Sequence, residues 1–511
     1  MSNRKRLLFL LICLMFLFTG CTSIGLPITD GAPSVTLPPA EVGYVAPIGD
    51  AALEYTDTAL LYLPSHDGIS LTTVESEVSF SLVRPAAESI VRSLLAYPGS
   101  RDASSLGGSV KLSLYGANPV EISRDAATVN LSASALQLDR EALFIVCQAI
   151  ANTLTELDEI RYVSVLVVDK PVGLDIANAL PMGALQKNTE RDLSAVYAQL
   201  LSRRAAVGST APAPFSAGVP LYFPLQNSEG MVCEVQTISF ENQLLPDMVT
   251  AILRALAAGP ADSSISSPPL PLLADLLTAT PVLSENTASG GMVISLDFAH
   301  NLDDMLDAYG ITRRQCTASL CYTLSSFFPN VSGVSLSISG VPIDSLMLTE
   351  DEDRSGSHPF LRSEFSGLIY DYCTLYFADN ETHALVPSMR AIPYYQRTNP
   401  RVLLCELAEG PQPGDSRPDL LPVTETDSIT DTTILGFALS NRTLLTNFAP
   451  SFGKACETLQ PEAERFFAYA LVNTLCMSSR VQNVCFFQSG SQFDGFSGEI
   501  YWRGLFYPLP V

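Results

Sequence analysis

The chain has 511 residues, of which 47% are hydrophobic and 16% are charged, and its formal net charge is −24. A hydrophobic fraction of this size can bury a core, which excludes a disordered chain, and the length suits about three domains of ordinary size. The negative charge disfavours nucleic acid and anionic lipid as partners and favours a basic or neutral protein or a neutral glycan.

The first 21 residues have the pattern of a secretion leader. Arg4, Lys5 and Arg6 precede an apolar stretch of 12 residues that ends at Phe18, which is shorter than the roughly 20 residues of a membrane-spanning helix. The following FTGC resembles the bacterial lipobox, in which cleavage precedes a cysteine that then carries lipid. We therefore expect Cys21 to be the lipid attachment residue that holds the protein at the outer face of the cytoplasmic membrane. A plain secretory signal or an uncleaved anchor is the alternative.

One order of landmarks occurs three times after this leader. Each copy has a Leu-Tyr strand, a helix that stops at a proline, a short apolar strand, a helix with a Thr-Leu pair and a closing strand. The landmarks are Tyr62, Pro98, Leu131, Thr153 and Val163 in the first copy, Tyr222, Pro260, Leu296, Thr323 and Val334 in the second, and Tyr376, Pro411, Leu439, Thr474 and Val484 in the third. An interval of about 150 to 160 residues is the size of a domain and is too long for a solenoid repeat.

These elements predict an α+β fold of three tandem small α/β sandwich domains. Each domain would run strand-helix-strand-helix-strand, with its helices packed on a small sheet. Stretches rich in Pro, Gly and Ser without periodicity indicate linkers. The predicted organisation is a lipoprotein signal peptide and lipobox at 1–21, a Pro/Gly-rich tether at 22–50, repeat 1 at 51–202, a linker at 203–217, repeat 2 at 218–347, an acidic linker at 348–366 and a divergent repeat 3 at 367–511.

No recognised catalytic pattern is present in the sequence. The four histidines do not recur between the copies, and the HExxH, GxSxG, P-loop and GxGxxG motifs are absent. The acidic run at 350–353 lacks EF-hand spacing, and no two cysteines have CxxC spacing, so we predict no metal and no cofactor. Nine cysteines follow Cys21, mostly at apolar positions where they act as small hydrophobes, although a few disulfides remain possible.

The residues that recur are expected to be structural. Each repeated threonine hydroxyl should bond a helical carbonyl one turn back, and each repeated tyrosine ring should pack on its sheet. Trp502 is the only tryptophan, and its aromatic surroundings predict a final strand or an exposed contact patch.

The ordered landmarks resemble the GerMN domain, the sporulation and spore germination domain of bacterial lipoproteins. In that family a helix ends in a small residue before Pro, followed by a V-x-L-[DS] strand, a helix ending in Thr-Leu and a strand starting near Val. The matching runs are LLAYP, TVNLS and NTLTELDEIRYVSVLV, then ALAAGP, VISLDF and YTLSSFFPNVSGVSLSISG, then ELAEGP, LGFALSNR and NTLCMSSRVQNVCFFQSG. In the third copy Gly436 and Ala438 replace the usual pattern, and a third copy is itself a departure from relatives that often carry two.

The resemblance implies a non-catalytic extracytoplasmic lipoprotein of a Gram-positive, endospore-forming bacterium. It would act as a scaffold or as a binding component in sporulation or germination, since the family has no established catalytic residues. The implied partners are the membrane through Cys21, envelope proteins or peptidoglycan, and further copies through sheet edges, but not nucleic acid. The alternatives are a solute-binding lipoprotein of a transporter, which needs two lobes around one cleft, and a cell-wall hydrolase, which needs carboxylates along a groove.

Overall fold

The computed structural model describes the chain from residue 44 onwards, with gaps. The described ranges are 44–205, 214–226, 228–286, 290–343, 359–379, 384–412, 429–457, 459–477, 480–497 and 500–510. Cys21, most of the predicted tether, the acidic run at 350–353, His358 and His383 therefore lie outside the described residues. Within those ranges, no helix has both the length and the apolar character needed to cross a bilayer.

The first segment, residues 54–205, begins with a long antiparallel hairpin and continues into a four-stranded sheet. Its elements are β2 (Glu54–Pro64), β3 (Leu71–Ser81), α1 (Ala86–Ala96), β4 (Val120–Ser123), β5 (Ala126–Leu131), α2 (Arg140–Leu154), β6 (Tyr162–Val167), β7 (Lys170–Pro171) and α3 (Leu193–Ala205). β5 and β6 pair in parallel, so the chain must cross over between them, and α2 makes that crossing. Asp139 starts α2 by accepting a hydrogen bond from the Ala142 N–H at 2.8 Å.

The second segment, residues 215–343, has the same plan. Its elements are β8 (Phe215–Pro224), β9 (Met231–Phe240), α4 (Leu245–Ala258), β10 (Val282–Asn286), β11 (Gly291–Phe298), α5 (Leu302–Ala308), α6 (Arg313–Phe327), β12 (Val331–Ile338) and β13 (Val341–Pro342). Gly259 ends α4 with a φ of 82°, directly before the predicted stop at Pro260. Thr312 and Gln315 form a capping box at the start of α6.

The third segment, residues 370–510, repeats this plan and borrows one strand from the start of the described chain. Its elements are β15 (Tyr370–Asp379), β16 (Ala384–Pro393), α7 (Pro400–Ala408), β17 (Ile434–Ser440), β18 (Thr443–Phe448), α8 (Pro450–Cys456), α9 (Pro461–Leu475) and β19 (Asn483–Gln488). β1 (Gly49–Ala52) pairs in parallel with β17 and gives the sheet order β1-β17-β18-β19. A Cβ at Gly436 would lie 2.4 Å from the Gly49 carbonyl oxygen, so only glycine permits this approach.

The three sheets share the same three-strand core, β4-β5-β6, β10-β11-β12 and β17-β18-β19. In each, an antiparallel hairpin is followed by a helix and a strand parallel to the second hairpin strand, so β5, β11 and β18 are equivalent. The sequence-based choice of the run around Leu439 as the third copy's short apolar strand was therefore wrong. Leu439 lies in β17, which corresponds to β4 and β10, while the equivalent strand is β18, whose six residues are all buried.

The predicted α+β class with small sheets is confirmed, but each copy contains more strands than the five-element pattern. The opening strand is the first half of a long hairpin, and a further antiparallel strand precedes the parallel pair. The return strand β3 reads LTTVESEVSFS and buries only two of its residues. Its polar face weakened the hydrophobic signal on which the prediction depended.

Residues 43–511 form one compact unit, and several predicted connecting stretches contribute ordered elements. Residues 44–50 of the predicted tether include the start of β1, and the Asn447 side chain donates to the Pro47 carbonyl at 2.9 Å. The predicted linker at 203–217 overlaps the end of α3 and the start of β8. The predicted acidic linker contains β14 (Phe360–Leu361), which pairs with β12, and the start of a 3₁₀ helix, Arg362–Leu368.

Two buried apolar clusters account for most of the core. One runs through both the first and the second segment and includes α2 and α6. The other fills the third segment and includes Leu53 and Leu82 from the beginning of the described chain. Each of these two clusters thus draws residues from more than one predicted domain.

Candidate functional site

The repeated threonines make the same contact in all three segments. The Tyr62 N–H donates to Thr153 Oγ1 at 2.9 Å, and Tyr222 donates to Thr323 at 3.1 Å. In the third segment the Tyr376 N–H donates to Thr474 Oγ1 at 3.2 Å. A helix hydroxyl therefore satisfies an outward-facing N–H of the opening hairpin strand and protects that strand's edge. We call these three hydrogen bonds the hydroxyl latches.

The latches confirm a structural role for these residues and correct the predicted partner. The hydroxyl bonds the neighbouring strand instead of its own helix. In the first segment the predicted bond to a carbonyl one turn back is made two residues later, where Thr155 Oγ1 donates to the Ala151 oxygen at 2.8 Å. The tyrosine rings differ: Tyr222 is buried, while Tyr62 and Tyr376 are partly exposed. Their hydroxyls donate to Glu156 Oε1 at 2.6 Å and to Met477 Sδ at 3.2 Å.

A second repeated contact holds the turn that follows each closing strand. The side-chain Oδ1 of Asn130 accepts from the Asp169 N–H at 3.0 Å, and Oδ1 of Asn447 accepts from the Gly490 N–H at 3.2 Å. Asp297 takes the equivalent place and accepts from the Gly340 N–H at 2.8 Å. Each receiving side chain lies on the central strand of its sheet. The position is asparagine in the first and third segments and aspartate in the second, so it did not stand out as a repeated residue.

Trp502 is fully buried, so the predicted exposed contact patch at this residue was wrong. Its ring packs among phenylalanines of the third segment, including Phe486 with a centroid distance of 5.1 Å, and its Nε1–H donates to Glu464 Oε1 at 2.7 Å. The terminal run does approach the sheet, through a single antiparallel bridge between Val484 and Phe506. Burial alone would raise the pKa of Glu464, but donors from Ser497, the Phe496 backbone and Trp502 hold it below its usual range.

The other predicted chemistry residues lie in ordinary structural surroundings. His66 Nε2 lies 2.9 Å from the Arg101 carbonyl oxygen, in a loop of the first segment. No disulfide joins any cysteines within the described residues. Likewise, the part of the chain described by the structure contains no group of three His, Cys, Asp or Glu side chains able to hold a metal ion.

A buried ion pair joins the first segment to the stretch before the third. Arg362 donates to Glu121 Oε2 at 2.5 Å and to Ser326 Oγ at 2.5 Å. Its guanidinium lies 3.9 Å from the centre of the Tyr322 ring, whose hydroxyl donates to Glu121 Oε1 at 3.2 Å. Burial alone would lower the pKa of Arg362, but Glu121 holds it well above its usual range. The first segment, the second segment and the stretch before the third thus each contribute side chains to one buried network.

A second buried carboxylate connects the first and third segments. Asp371 accepts from the Arg124 N–H at 3.0 Å and from Arg397 Nη1 at 2.5 Å, and Arg397 also bonds Glu159. Burial raises the pKa of Asp371 despite the neighbouring Arg397.

Beside this contact a cleft of about 550 Å³ opens between the first and third segments. Its walls carry three tyrosine rings, three arginines and several hydroxyls, among them Tyr55, Arg84, Thr374, Thr398 and Arg480. Arg480 is paired with Asp57 and lies over the ring of Phe80 at 5.4 Å. A volume of this size is in the usual range of small-ligand sites. Sequence reasoning missed the cleft because its residues come from separate predicted domains.

Cys373 and Glu156 are two titratable residues on the cleft wall whose pKa values are shifted. The one cysteine on its wall is Cys373, and burial raises the pKa of this thiol to about 12, so it stays protonated and is a poor nucleophile. Contacts from Lys187 and Tyr62 lower the pKa of the lining residue Glu156, which is the reverse of what a general acid needs. Hydroxyls, aromatic faces and the charged side chains of Arg84, Asp158 and Glu159 are the other groups on the wall that can hold a polar ligand.

Comparisons with known proteins associate two parts of the chain with one family. A family model, Germane, described as sporulation and spore germination, matches residues 60–173 and 220–344. These stretches cover most of the first and the second segment. No curated protein matches the chain.

Two solved structures are also similar to the chain. The tandem GerMN domains of the sporulation protein GerM from Bacillus subtilis are 16% identical, with 57% of this chain and 98% of that chain covered and a TM-score of 0.22. A crystal structure described as a lipoprotein from Clostridium perfringens is 15% identical, with 27% and 87% covered and a TM-score of 0.19. Residues 60–173 and 220–344 of this chain thus match the sporulation and spore germination family.

Proposed function

We propose that this chain is a non-catalytic envelope lipoprotein that acts as a scaffold or binding component in sporulation or spore germination. The family match to the first two segments is the observation that carries this proposal. The cleft supports it, because its cysteine is buried and protonated and Glu156 has a lowered pKa. The family description names a developmental process and no reaction.

The third segment is, on this proposal, a third GerMN module, so that the division into repeats at 51–202, 218–347 and 367–511 follows the modules. Its support is the pair of contacts described above. Thr474 forms the same latch as Thr153 and Thr323, and Asn447 holds the same turn as Asn130 and Asp297. Two independent side-chain contacts at equivalent positions are hard to reach without a shared module.

Lipid attachment at Cys21 would keep the protein on the outer face of the cytoplasmic membrane. Its support is the basic and apolar leader followed by FTGC. Labelling of cells with radioactive palmitate should mark the full chain and should fail to mark Cys21→Ala, which we expect in the soluble fraction. Label retained by Cys21→Ala would refute attachment at this residue.

The proposed partners are envelope proteins or peptidoglycan, with the membrane as the anchor. The net charge of −24 suits a neutral glycan or a basic protein surface. Full chain incubated with purified peptidoglycan should sediment with it and release no soluble fragments, and crosslinking in sporulating cells should retain envelope proteins. Release of soluble muropeptides would instead identify a wall hydrolase.

The cleft favours one second candidate, a solute-binding lipoprotein of a transporter. A cleft of about 550 Å³ can enclose a small polar molecule. Thermal unfolding of the full chain against a set of small sugars, peptides and amino acids separates the two functions. A scaffold should show no saturable rise in melting temperature, whereas a solute-binding protein should show one with a single class of molecule.

The developmental role is tested in the host bacterium. Deletion of the gene should lower the yield of heat-resistant spores or slow their germination, and the wild-type gene should restore both. Normal spore yield and normal germination in the deletion strain would contradict the proposal.

A further inference from the structure

The first strand of the sheet is covered in two segments and open in the other. In the first segment, Ser123 at the end of β4 donates to the Tyr370 carbonyl at 2.7 Å, so the third segment's hairpin lies against this strand. In the third segment β1 pairs along β17. In the second segment the equivalent strand, β10, is the outermost strand of its sheet among the described residues.

β10 has the features of an unprotected sheet edge. Four of its five residues, Val282 to Glu285, are exposed, and the side chains of Val282 and Leu283 are 56% and 40% exposed. It contains no proline and a single charge, Glu285. Natural sheet edges are usually blocked by lysine, proline, a bulge or a covering element. None of these devices is present on β10 within the described structure.

We propose that β10 is a self-association surface, on which β10 of a second copy of this chain pairs antiparallel about a two-fold axis. The other edge of the sheet consists of two short strands, β13 and β14, each of only two residues, and β13 contains Pro342. Proline lacks the N–H that edge pairing needs. A head-to-tail extension from β10 to β13 is therefore disfavoured, and pairing of β10 with itself remains.

The sequence of β10 selects one register. With the axis at Ser284, Val282 faces Asn286 of the second copy and Leu283 faces its Glu285, so no like charges are opposed. An axis at Glu285 would set two carboxylates against each other. An axis at Leu283 would bring Pro281 into the pairing, where no N–H is available.

The pairing should be weak in dilute solution. Two five-residue strands bury far less than the roughly 1,000 Å² of a stable interface, and the net charge of −24 on each copy opposes association. Confinement on a membrane raises the effective concentration and offsets this weakness. The inference deepens the proposed scaffold function, because it identifies a second copy as one partner.

Symmetric crosslinking in cells that express the full chain tests this surface. Directly opposed residues of an antiparallel pair lie about 4.5–5.5 Å apart, which a disulfide can span. Ser284→Cys should give a disulfide-linked dimer under a mild oxidant, well above the wild-type background. Val341→Cys, on the β13 edge and 67% exposed, is the matched control and should give no dimer above that background.

Charge variants check the register without any new cysteine. In a dimer of Ser284→Lys, or of Ser284→Glu, the two copies place like charges opposite each other at residue 284. Each variant should therefore fail to capture a tagged copy of itself. Co-expression of the two variants should restore capture to at least the wild-type level. Equal crosslinking at residues 284 and 341, or no dimer with Ser284→Cys, would overturn the inference. Retention of envelope proteins by such a monomeric chain would still leave the scaffold function standing.

Discussion

The second and third segments share one plan but differ in what covers the first strand of the sheet. In the third segment β1 lies along β17, and Gly436 makes the close approach possible. In the second segment β10 is the outermost strand among the described residues and carries exposed Val282 and Leu283. The comparison shows that the module's internal contacts are constant, while its edges depend on the part of the chain that lies beside it.

The two segments also differ in how well their sequences match the family pattern. The family model matches nearly all of the second, whereas the run GFALS in the third follows the family motif poorly. The structure explains this mismatch, because GFALS belongs to β17 and the equivalent strand is β18. The two segments are alike in their hydrogen bonds more than in their residues. The following variants break or sharpen this comparison.

The largest effect is expected at the ion pair between the first segment and the stretch before the third. Arg362→Met removes the charged partner of Glu121 and leaves a largely buried carboxylate without a counter-charge, which should lower the free energy of unfolding by about 3–5 kcal/mol. Urea unfolding of the full chain measures this change. The exposed pair Arg314–Glu229 is the control, and Arg314→Met should cost at most about 1 kcal/mol. Equal effects of the two variants would contradict a buried network.

The third segment's own core should respond to loss of the Trp502 donor. Trp502→Phe leaves the buried carboxylate of Glu464 with one hydrogen bond fewer, at an expected cost of about 1–3 kcal/mol. Because the pKa of Glu464 is lowered in the folded state, its stabilisation is lost as the pH falls through that value. The variant raises the folded pKa towards its usual value, so its stability should fall less steeply with acid.

Unfolding curves at several acidic pH values check that difference. The neighbouring Tyr501 is 42% exposed and serves as the control. Tyr501→Phe should change neither the stability at neutral pH nor its slope with pH. A Trp502→Phe variant with the wild-type slope would show that the Trp502–Glu464 bond does not control this carboxyl.

The hydroxyl latches should stabilise all three segments in the same way. Thr153→Val, Thr323→Val and Thr474→Val keep the shape of the side chain but leave a strand N–H without its acceptor, at about 1–3 kcal/mol each. We expect the largest cost for Thr323, whose latch is buried. Thermal or urea unfolding measures the three values.

Two controls separate the latch from general damage to the helix. Serine at each of these positions retains the hydroxyl and should recover most of the lost stability. Thr155→Val removes only a bond within the helix and should cost less than about 1 kcal/mol. A Thr474→Val variant as stable as the wild type would show that the latch does not stabilise the third segment.

The smallest effect should distinguish the second segment from the other two. Ser319 donates to the Tyr222 carbonyl at 2.5 Å, so this tyrosine is held at both its N–H and its C=O. Alanine occupies the equivalent places, Ala149 and Ala470. Ser319→Ala should therefore cost about 0.5–1.5 kcal/mol, measured by urea unfolding. No measurable cost would indicate that the second bond adds nothing to the latch.

Several parts of the fold could be predicted from the sequence because they depend on local patterns. The 3.6-residue apolar stripes located α2, α6 and α9, and Pro260 marked the end of α4. The Thr-Leu and Leu-Tyr landmarks were correctly read as structural, although the contact between Thr153 and Tyr62 joins residues 91 positions apart. No local pattern reveals such a partner.

The rest depended on packing between segments. The aromatic terminal run predicted that Trp502 could lie in an exposed contact patch, but Phe486 and Glu464 pack around it. The cleft needs walls from the first and third segments together. The strand that covers β17 is β1, whose residues were assigned partly to the tether and partly to repeat 1. Contacts between residues far apart in the sequence leave no local pattern, so they could not be predicted. The order of helices and strands depends on local patterns and could be.

The central claim is that residues 370–510 form a third copy of the same module, held by the same latch. Residue-resolved hydrogen exchange at the Tyr376 amide tests it most directly. If the latch exists, Thr474→Val should speed exchange of this amide about tenfold or more, and Thr474→Ser should leave it close to the wild-type rate. Unchanged protection of Tyr376 in Thr474→Val would contradict the claim.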